Sequence, residues 1–249
     1  MTKDLKIISL VPSLTELLVD LGLEENIVGI TKFCVHPKNL RKEKVIVGGT
    51  KNIHLEKIKA LQPDFILCNK EENTKEIVEN CREIATTHVS DICTIKDILA
   101  LIVNYGILFS CEDKALMLTT KLRDKIKDFK HFVKDKPTLK VVYFIWKNPW
   151  MIAANNTFIH HLLELTKFEN CYKSESRYPE ITLEDLKTKE IDVIFLSSEP
   201  FPFKEKNSLD FNNHTNNTSI VLVDGEYFSW YGSRLLKAFD YFKELRKRL

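Results

Sequence analysis

Few residues of this chain have the types and spacing that metal chemistry requires. Cys34 and His36 alternate along what we expect to be an extended loop, which would place a thiolate and an imidazole on one side. With a carboxylate from elsewhere they would ligate zinc or iron. His160 and His161 are neighbours on a predicted helix and point about 100° apart, so they cannot share an ion. We therefore expect no metal site, with His36 as only a weak candidate.

The motifs of covalent and phosphate-binding sites are missing from the sequence. Ser9 and Ser13 flank a strand-to-helix turn, but no G-x-S-x-G elbow surrounds either serine. Gly48 and Gly49 indicate a turn, and the 7 glycines of the chain form neither a G-x-x-x-x-G-K-(S/T) nor a G-x-G-x-x-G motif. We therefore expect a binding protein and not an enzyme.

The opening of the chain is the segment that most clearly indicates a ligand site. An apolar run at residues 5–10 meets Pro12, and a helix start follows with Ser13 as the expected N-cap and Glu16 as the third position of a capping box. Backbone N–H groups at such a start point at whatever lies above the strand end. Ligands of α/β proteins bind at this edge, so the turn is predicted to form the floor of a ligand cleft.

Alternating strands and helices predict the frame that positions this turn. In the first half, strands are expected at residues 6–10, 26–30, 45–47, 64–68 and 88–89, and helices at 13–21, 55–61, 71–84 and 94–109. Apolar residues at spacings of three and four then predict one amphipathic helix from Cys111 to about Val133. The second half repeats the alternation, with strands at 139–145, 191–196 and 220–223 and helices at 156–167, 183–187 and 233–245.

The predicted fold class is α/β, with two Rossmann-like lobes of mainly parallel sheet, one long helix joining them and a ligand cleft between them. We expect an N-terminal lobe at residues 1–110, the joining helix at 111–135 and a C-terminal lobe at 136–249. Residues 200–218, rich in proline, phenylalanine and asparagine, are expected to form an exposed loop.

Composition narrows the classes of partner. The chain carries 37 basic and 35 acidic residues, a net charge of +2 that gives no electrostatic case for nucleic acid. No apolar segment approaches the ~20 residues of a membrane span, so we expect no membrane insertion. The first residues lack the pattern of a signal peptide, which predicts a cytoplasmic protein, or a periplasmic or lipid-anchored one if a leader has been removed. We expect a monomer with six reduced cysteines.

Segments spread over most of the chain, in the same order, resemble one known family. The matching segments are residues 7–18, 28–37, 47–50, 55–68, 146–172, 178–186 and 227–234. They resemble the periplasmic binding proteins whose lobes are joined by one backbone helix, and which carry cobalamin, ferric siderophores or haem to ABC importers. The cobalamin-binding branch is the most similar. The resemblance implies a corrinoid ligand, or alternatively a ferric siderophore or haem, and an ABC permease as partner.

The resemblance also implies which residues contact the ligand. Aromatic side chains would hold it, because rings cover wide apolar surface with little rotamer entropy. The candidates are Pro12, Ser13, Phe33, Lys51, Trp146, Tyr178, Tyr227 and Trp230, with Phe144 and Trp150 as neighbouring rings. The aromatic run at residues 227–231 is expected to be extended, so that its rings face both ways and some remain exposed.

Two positions depart from the cobalamin binders. Lys51 and Asn69 stand near places where that branch often has aromatic residues, and Lys70 follows Asn69. Together with Lys32, these lysines would favour an anionic ligand such as a carboxylated macrocycle or siderophore.

The family docks to its permease through one surface glutamate per lobe. Glu56 and Glu184 match those positions, and each lies near an expected helix start. A carboxylate is stabilised by the helix dipole there whether or not it binds a partner, so docking and helix stabilisation both stay open.

Two further classes stay open. The first is a cytosolic enzyme or chaperone that handles a corrinoid or metallocofactor on the same scaffold, which the absence of a leader favours. The second is a transition-metal receptor, for which His36, Glu16 and Glu226 would have to converge.

Overall fold

Two mainly parallel sheets organise the chain in a computed structural model, which describes residues 4–211, 213–215 and 218–249. The residues group into two units. Unit 1 comprises Met1–Ile92, Lys96–Arg123 and Tyr231–Leu236. Unit 2 comprises Cys93–Ile95, Asp124–Trp230 and Lys237–Leu249. The predicted class, α/β with two lobes of mainly parallel sheet, is confirmed.

Unit 1 is built on a five-stranded sheet in which every pairing is parallel. Its strands are β1 (Ile7–Ser9), β2 (Ile27–Ile30), β3 (Val45–Ile46), β4 (Phe65–Asn69) and β5 (Thr86–Ser90). The helices are α1 (Pro12–Asp20), α2 (Leu40–Glu43), α3 (Leu55–Leu61), α4 (Lys75–Arg82), α5 (Ile95–Leu108) and the first half of α6 (Glu112–Val133). The spatial order is β3-β2-β1-β4-β5, so the chain direction around the sheet reverses between β1 and β4. Ligands of such sheets bind at this reversal, beyond the carboxyl ends of the strands.

Unit 2 has a second sheet of order β10-β9-β6-β7, with β8 also paired to β6. Its strands are β6 (Leu139–Trp146), β7 (Met151–Ile152), β8 (Phe168–Asn170), β9 (Val193–Ser197) and β10 (Ser219–Val223). Its helices are α7 (Phe158–Leu165), α8 (Gly225–Ser229) and most of α9 (Leu235–Arg248). All pairs are parallel except β6 with β7. Short 3-10 helices occur at Glu24–Asn26, Leu183–Thr188 and Glu205–Phe211.

The long helix α6 forms where the spacing of apolar residues predicts it. Leu118, Leu122, Ile126, Phe129 and Val133 of α6 are all buried. Within unit 2, the Phe129 ring packs against the α9 rings of Phe239 and Phe242, at centroid distances of 5.3 and 6.3 Å. The stripe predicted from spacing is therefore the packing face of the helix.

The capping box predicted at the first helix is wrong. Val11 is the N-cap, with an extended backbone (φ −134°) and no capping side chain, and Pro12 is the first helical residue. Proline suits that position because the missing N–H has no helical partner there. Ser13 and Glu16 therefore lie inside α1, where their side chains have other roles.

The helix predicted at residues 71–84 begins at Lys75. Asn69 holds the residues just before this helix in a turn, because its Oδ1 accepts the N–H groups of Glu71 and Glu72 at 2.8 and 3.2 Å. Thr74 then caps the helix by accepting the N–H of Ile77 at 3.2 Å. Asparagine side chains commonly stabilise such turns in competition with helix.

The loop predicted at residues 200–218 is also wrong in part. Residues 205–211 form a 3-10 helix, and Phe203 and Phe211 are buried. Both rings pack on Trp150, at centroid distances of 6.1 and 5.3 Å. Asn212, Asn216 and Asn217 lie outside the described residues, so the prediction is not tested there.

In the described part of the chain, no helix combines the length and apolar character needed to cross a bilayer. The six cysteines all carry free thiols, and Cys34, Cys68, Cys81 and Cys111 are buried.

Helices α5 and α6 approach most closely at Gly106, where an added Cβ would lie 2.6 Å from the Cβ of Ala115. We expect Gly106→Ala to lower the free energy of unfolding, because overpacking costs about 1–3 kcal/mol and exceeds the ~1 kcal/mol gain in helix propensity. Urea unfolding measures this difference. Adding Ala115→Gly should recover part of the loss, whereas Asn104→Ala, at an exposed position of the same helix, should cost nothing. Equal stability of Gly106→Ala and the unsubstituted protein would contradict the close packing.

Candidate functional site

The carboxyl edge of the unit 1 sheet gathers polar groups at the reversal between β1 and β4. Asn73 Oδ1 accepts the N–H of Asn69 at 2.8 Å, and its amide donates to the carbonyl of Thr50 at 3.0 Å. The Asn69 amide donates to Ser90 at the end of β5. The loops after β3, β4 and β5 are thereby tied together, and they form the frame of a binding edge.

Phe33 lies on this edge and is the most exposed aromatic ring there. It is 48% exposed and follows β2. The ammonium group of Lys32 lies 5.0 Å from the ring centroid, a cation–π contact. A Cβ added at Gly49 would meet both residues, at 3.2 Å from the Phe33 ring and 3.5 Å from Lys32. Gly49 thus leaves the ring room to lie flat against the turn after β3.

The three lysines of this edge differ in how their charges are compensated. Lys70 forms an ion pair with Asp91, which neutralises it. Lys51 Nζ donates to the carbonyl oxygen of Glu71 at 2.8 Å. In the described part of the chain, neither Lys32 nor Lys51 has a carboxylate within ion-pair distance, so this edge keeps two uncompensated positive charges.

Cys34 is part of the structure of this edge. Its Sγ lies 3.1 Å from Thr15 Oγ1 and 3.3 Å from Thr31 Oγ1. Burial raises the pKa of the Cys34 thiol, so the thiolate that a metal requires is disfavoured. His36 is half-buried, and no group of three His, Cys, Asp or Glu residues suited to a metal occurs among the described residues.

Pro12 and Ser13 are buried beneath the segment that carries Tyr231. The Tyr231 hydroxyl lies 3.0 Å from Ser90 Oγ and also faces Ser13 and Asn69. Burial raises the pKa of Tyr231, which keeps the phenol neutral. Ser13 therefore supports a buried polar cluster at this edge instead of capping the helix.

Glu16, predicted to cap its own helix, instead binds Arg234. Its two carboxylate oxygens accept from Nε at 2.7 Å and from Nη2 at 3.1 Å. The side chains are only 9% and 5% exposed, so the pair is buried. Nothing in the local sequence marked Arg234, since its partner is 218 positions away.

In unit 2, three of the predicted aromatic residues pack against different neighbours. Trp146 ends β6, is 38% exposed, and meets the Phe201 ring edge-on at 5.7 Å. Half-buried Tyr178 lies under the guanidinium of Arg177, 6.0 Å from its carbon. Half-buried Tyr227 stacks on Tyr241 at 4.9 Å. Phe144 and Trp150 belong to the core of this unit and contact each other at 5.6 Å.

The extended segment predicted at residues 227–231 is wrong. Residues 225–229 form helix α8, which Asp224 caps by accepting the N–H of Glu226 at 3.0 Å. Phe228 of this helix is fully buried, and Trp230 and Tyr231, which follow the helix, are buried at 7% and 5% exposure. Of this cluster, Tyr227 keeps the more accessible ring.

Sequence reasoning missed one polar residue at this edge. Glu199 follows β9 by two residues, and its Oε1 accepts the Ser229 hydroxyl at 2.6 Å. Burial raises the pKa of the Glu199 carboxyl group. A single glutamate in a loop gives no sequence signal, although its place after a buried apolar strand could have indicated a sheet-edge position.

The predicted docking glutamates are both on the surface. The Glu56 side chain is 86% exposed in the first turn of α3, where Lys59 lies 3.0 Å away. Glu184 is 63% exposed, paired with Lys187 at 2.7 Å and His214 at 3.0 Å. Lys187 lowers the pKa of Glu184. Each carboxylate is accessible, and each already has a local partner.

Comparison with known proteins places these features in context. The family described as periplasmic binding protein matches residues 7–216. An uncharacterized ABC transporter substrate-binding lipoprotein of Bacillus subtilis is 26% identical over 76% of this chain, a match that spans 62% of the relative's own length. A vitamin B12-binding protein of Pectobacterium atrosepticum is 24% identical, over 94% of this chain and 85% of the relative.

A solved structure extends the likeness to the fold. The periplasmic heme-binding protein of Roseiflexus sp. RS-1, in its apo form, superposes with a TM-score of 0.84. The match covers 98% of both chains at 15% sequence identity. At that identity, the match shows a shared fold alone.

The buried Glu16–Arg234 pair should dominate the stability of unit 1. We expect Glu16→Gln to lower the free energy of unfolding by about 3–5 kcal/mol, because it leaves a buried guanidinium without its counter-charge. Thermal and urea unfolding would measure the loss. The double variant Glu16→Leu/Arg234→Met should recover much of it, and Glu56→Gln, at an exposed pair, should leave stability unchanged. A small effect of Glu16→Gln would show that the pair is dispensable.

Proposed function

The chain belongs to the periplasmic binding protein family, and we propose that it is the non-catalytic substrate-binding protein of an ABC importer, with a corrinoid or related metal-chelate macrocycle as ligand. The observation that carries the proposal is the 48% exposed Phe33 ring at the carboxyl edge of a sheet where the strand order reverses. An exposed ring at that place matches a flat ligand.

The proposed contacts lie on the carboxyl edges of the two sheets. In unit 1 they are Phe33, Lys51 and the Pro12–Ser13 turn, and in unit 2 they are Trp146, Tyr178, Tyr227 and Trp230. The name of the Pectobacterium relative, a vitamin B12-binding protein, supports the corrinoid. Relatives at this level of identity diverge in specificity, so the ligand is decided by the charges of this chain's own site.

An anionic chelate is the second candidate, and the uncompensated charges of Lys32 and Lys51 favour it. Haem carries propionate carboxylates, and many ferric siderophores are anionic, whereas cyanocobalamin carries no net charge. The Roseiflexus protein, which shares the fold, is named as heme-binding. Ammonium groups beside an exposed ring would pair with carboxylates at the rim of a flat ligand.

Glu56 and Glu184 are proposed to dock the permease. Both are exposed, and their lysine partners can be exchanged for arginines of a partner at little cost, since exposed pairs contribute about 0–1 kcal/mol. A permease-docking role would place the protein on the outer side of the cytoplasmic membrane. The name of the Bacillus relative, a lipoprotein, favours that alternative over the cytoplasmic location predicted from the sequence.

Titration with cyanocobalamin, haemin and a ferric siderophore tests the ligand class. We expect one of them to quench tryptophan fluorescence, and Phe33→Ala to weaken that ligand by about tenfold or more, as truncation of a central aromatic contact does. Met117→Ala, at a 53% exposed position elsewhere on unit 1, is the matched control and should leave affinity unchanged. Failure of all three ligands to bind would reject the proposal.

The charge of the site separates the two candidate ligands. We expect Lys32→Ala/Lys51→Ala to weaken haemin about tenfold, because each charge-assisted contact contributes about 1–3 kcal/mol, and to leave cyanocobalamin nearly unaffected. Salt should weaken haemin binding more in the unsubstituted protein than in the variant. Lys70→Ala, whose charge Asp91 already neutralises, is the control. Equal losses for both ligands would rule out selection by charge.

A further inference from the structure

Glu199 is a half-buried carboxylate at the carboxyl edge of β9 that is not itself one of the proposed ligand contacts. Burial raises its pKa, and the carboxylates of Glu226 and Asp224 raise it further. The charge of Glu199 in turn helps to raise the pKa of Tyr143 on β6, whose hydroxyl donates to Ser197. A carboxylate kept among acidic neighbours is costly, and it persists only where its lone pairs are used.

A donor at the end of α8 uses those lone pairs. The Ser229 hydroxyl, on the last residue of the helix, donates to Oε1 at 2.6 Å. The indole of the next residue, Trp230, also interacts with this carboxylate and lowers its pKa. Glu199 therefore holds the last residue of α8 and lies beside the aromatic ring that follows the helix.

The other end of α8 is held by the same loop. The N–H of Gly225, the first helical residue, donates to Ser198 Oγ at 2.9 Å. A Cβ added at Gly225 would lie 2.6 Å from Glu199 Cγ, so only glycine permits this approach. The two residues after β9 thus hold both ends of α8, and with it the position of Tyr227.

We propose that Glu199 is a positioning residue for Trp230 and α8, and that its ionised form is the one competent to bind ligand. The inference rests on the proposed function, in which Tyr227 and Trp230 contact the ligand. Protonation removes the charge of the carboxylate, which weakens the hydrogen bond that it accepts from Ser229 and its interaction with the Trp230 indole.

The sign of the pH effect separates this role from unfolding. The carboxyl group binds its proton at a higher pH in the native protein than in the unfolded chain, so its protonation favours the native state. Because the ionised form is the competent one, affinity for the ligand should fall on acidification. The Glu199 carboxyl group should add nothing to acid unfolding. The neighbouring carboxyl groups of Asp224 and Glu226 also titrate in acid, and variants of them serve as controls.

The first experiment needs no ligand. In a Trp146→Phe/Trp150→Phe background, Trp230 is the only tryptophan, and its emission reports on the carboxylate beside it. From about pH 8 to about pH 4 we expect a transition above the usual glutamate range. It should disappear in Glu199→Gln, which keeps the shape but cannot ionise, and persist in Glu226→Gln. An unchanged transition in Glu199→Gln would overturn the proposal.

The second experiment measures the dissociation constants of cyanocobalamin and haemin against pH. We expect Glu199→Ala to weaken the bound probe about tenfold at neutral pH. Glu199→Gln, which is neutral at every pH, should bind at neutral pH about as weakly as the unsubstituted protein does in acid, and should show no further decline in acid. Identical pH dependence in Glu199→Gln and the unsubstituted protein would refute the role of Glu199 and leave the proposed function intact. If neither probe binds the unsubstituted protein, the proposed function and the ligand-binding role of Glu199 both fail, and the emission experiment then decides only the contact with Trp230.

Discussion

The buried ion pair between Glu16 and Arg234 is the constraint on which unit 1 depends. Two charges with almost no exposure to water stabilise each other here, since burial of a charge carries a desolvation penalty of several kcal/mol. Glu16 fixes α1, which begins at the sheet reversal, and Arg234 fixes the segment 231–236. That segment brings the Tyr231 hydroxyl to Ser90 at the end of β5. One pair therefore organises both the helix start and the polar cluster at the binding edge.

Features that follow from the local spacing of apolar residues were predictable from the sequence. Helix α3 has the predicted bounds, and the buried stripe of α6 follows its spacing of three and four. Features that depend on contacts with distant residues were not predictable. The pattern of Ser13 and Glu16 fits a capping box as well as it fits a buried carboxylate, and only the fold brings Arg234 to it. The aromatic run at 227–231 was predicted to be extended from its density of rings, whereas residues 225–229 form a helix that Asp224 caps.

The candidate site likewise has features that were predictable from the sequence and features that were not. The family resemblance pointed to Phe33 as a ligand contact, and the sequence itself shows the lysines at positions 32, 51 and 70, because residue type is a local property. It could not tell which lysine is neutralised, since Asp91, the partner of Lys70, follows a different strand. The two candidate edges therefore differ in character. The edge of unit 1 has one exposed ring beside the ammonium group of Lys32, and the edge of unit 2 has the partly buried carboxylate of Glu199 bound to the Ser229 hydroxyl.

The order of residues in unit 1 also has a consequence for synthesis on the ribosome. The segment Tyr231–Leu236 belongs to this unit although it comes near the end of the chain. While the nascent protein emerges, the five strands of the first sheet can pair early, but the Glu16 carboxylate must stay hydrated until Arg234 leaves the exit tunnel. The amino-terminal unit therefore reaches its final packing only after nearly the whole polypeptide has been translated, and a premature stop before residue 234 would release it incomplete.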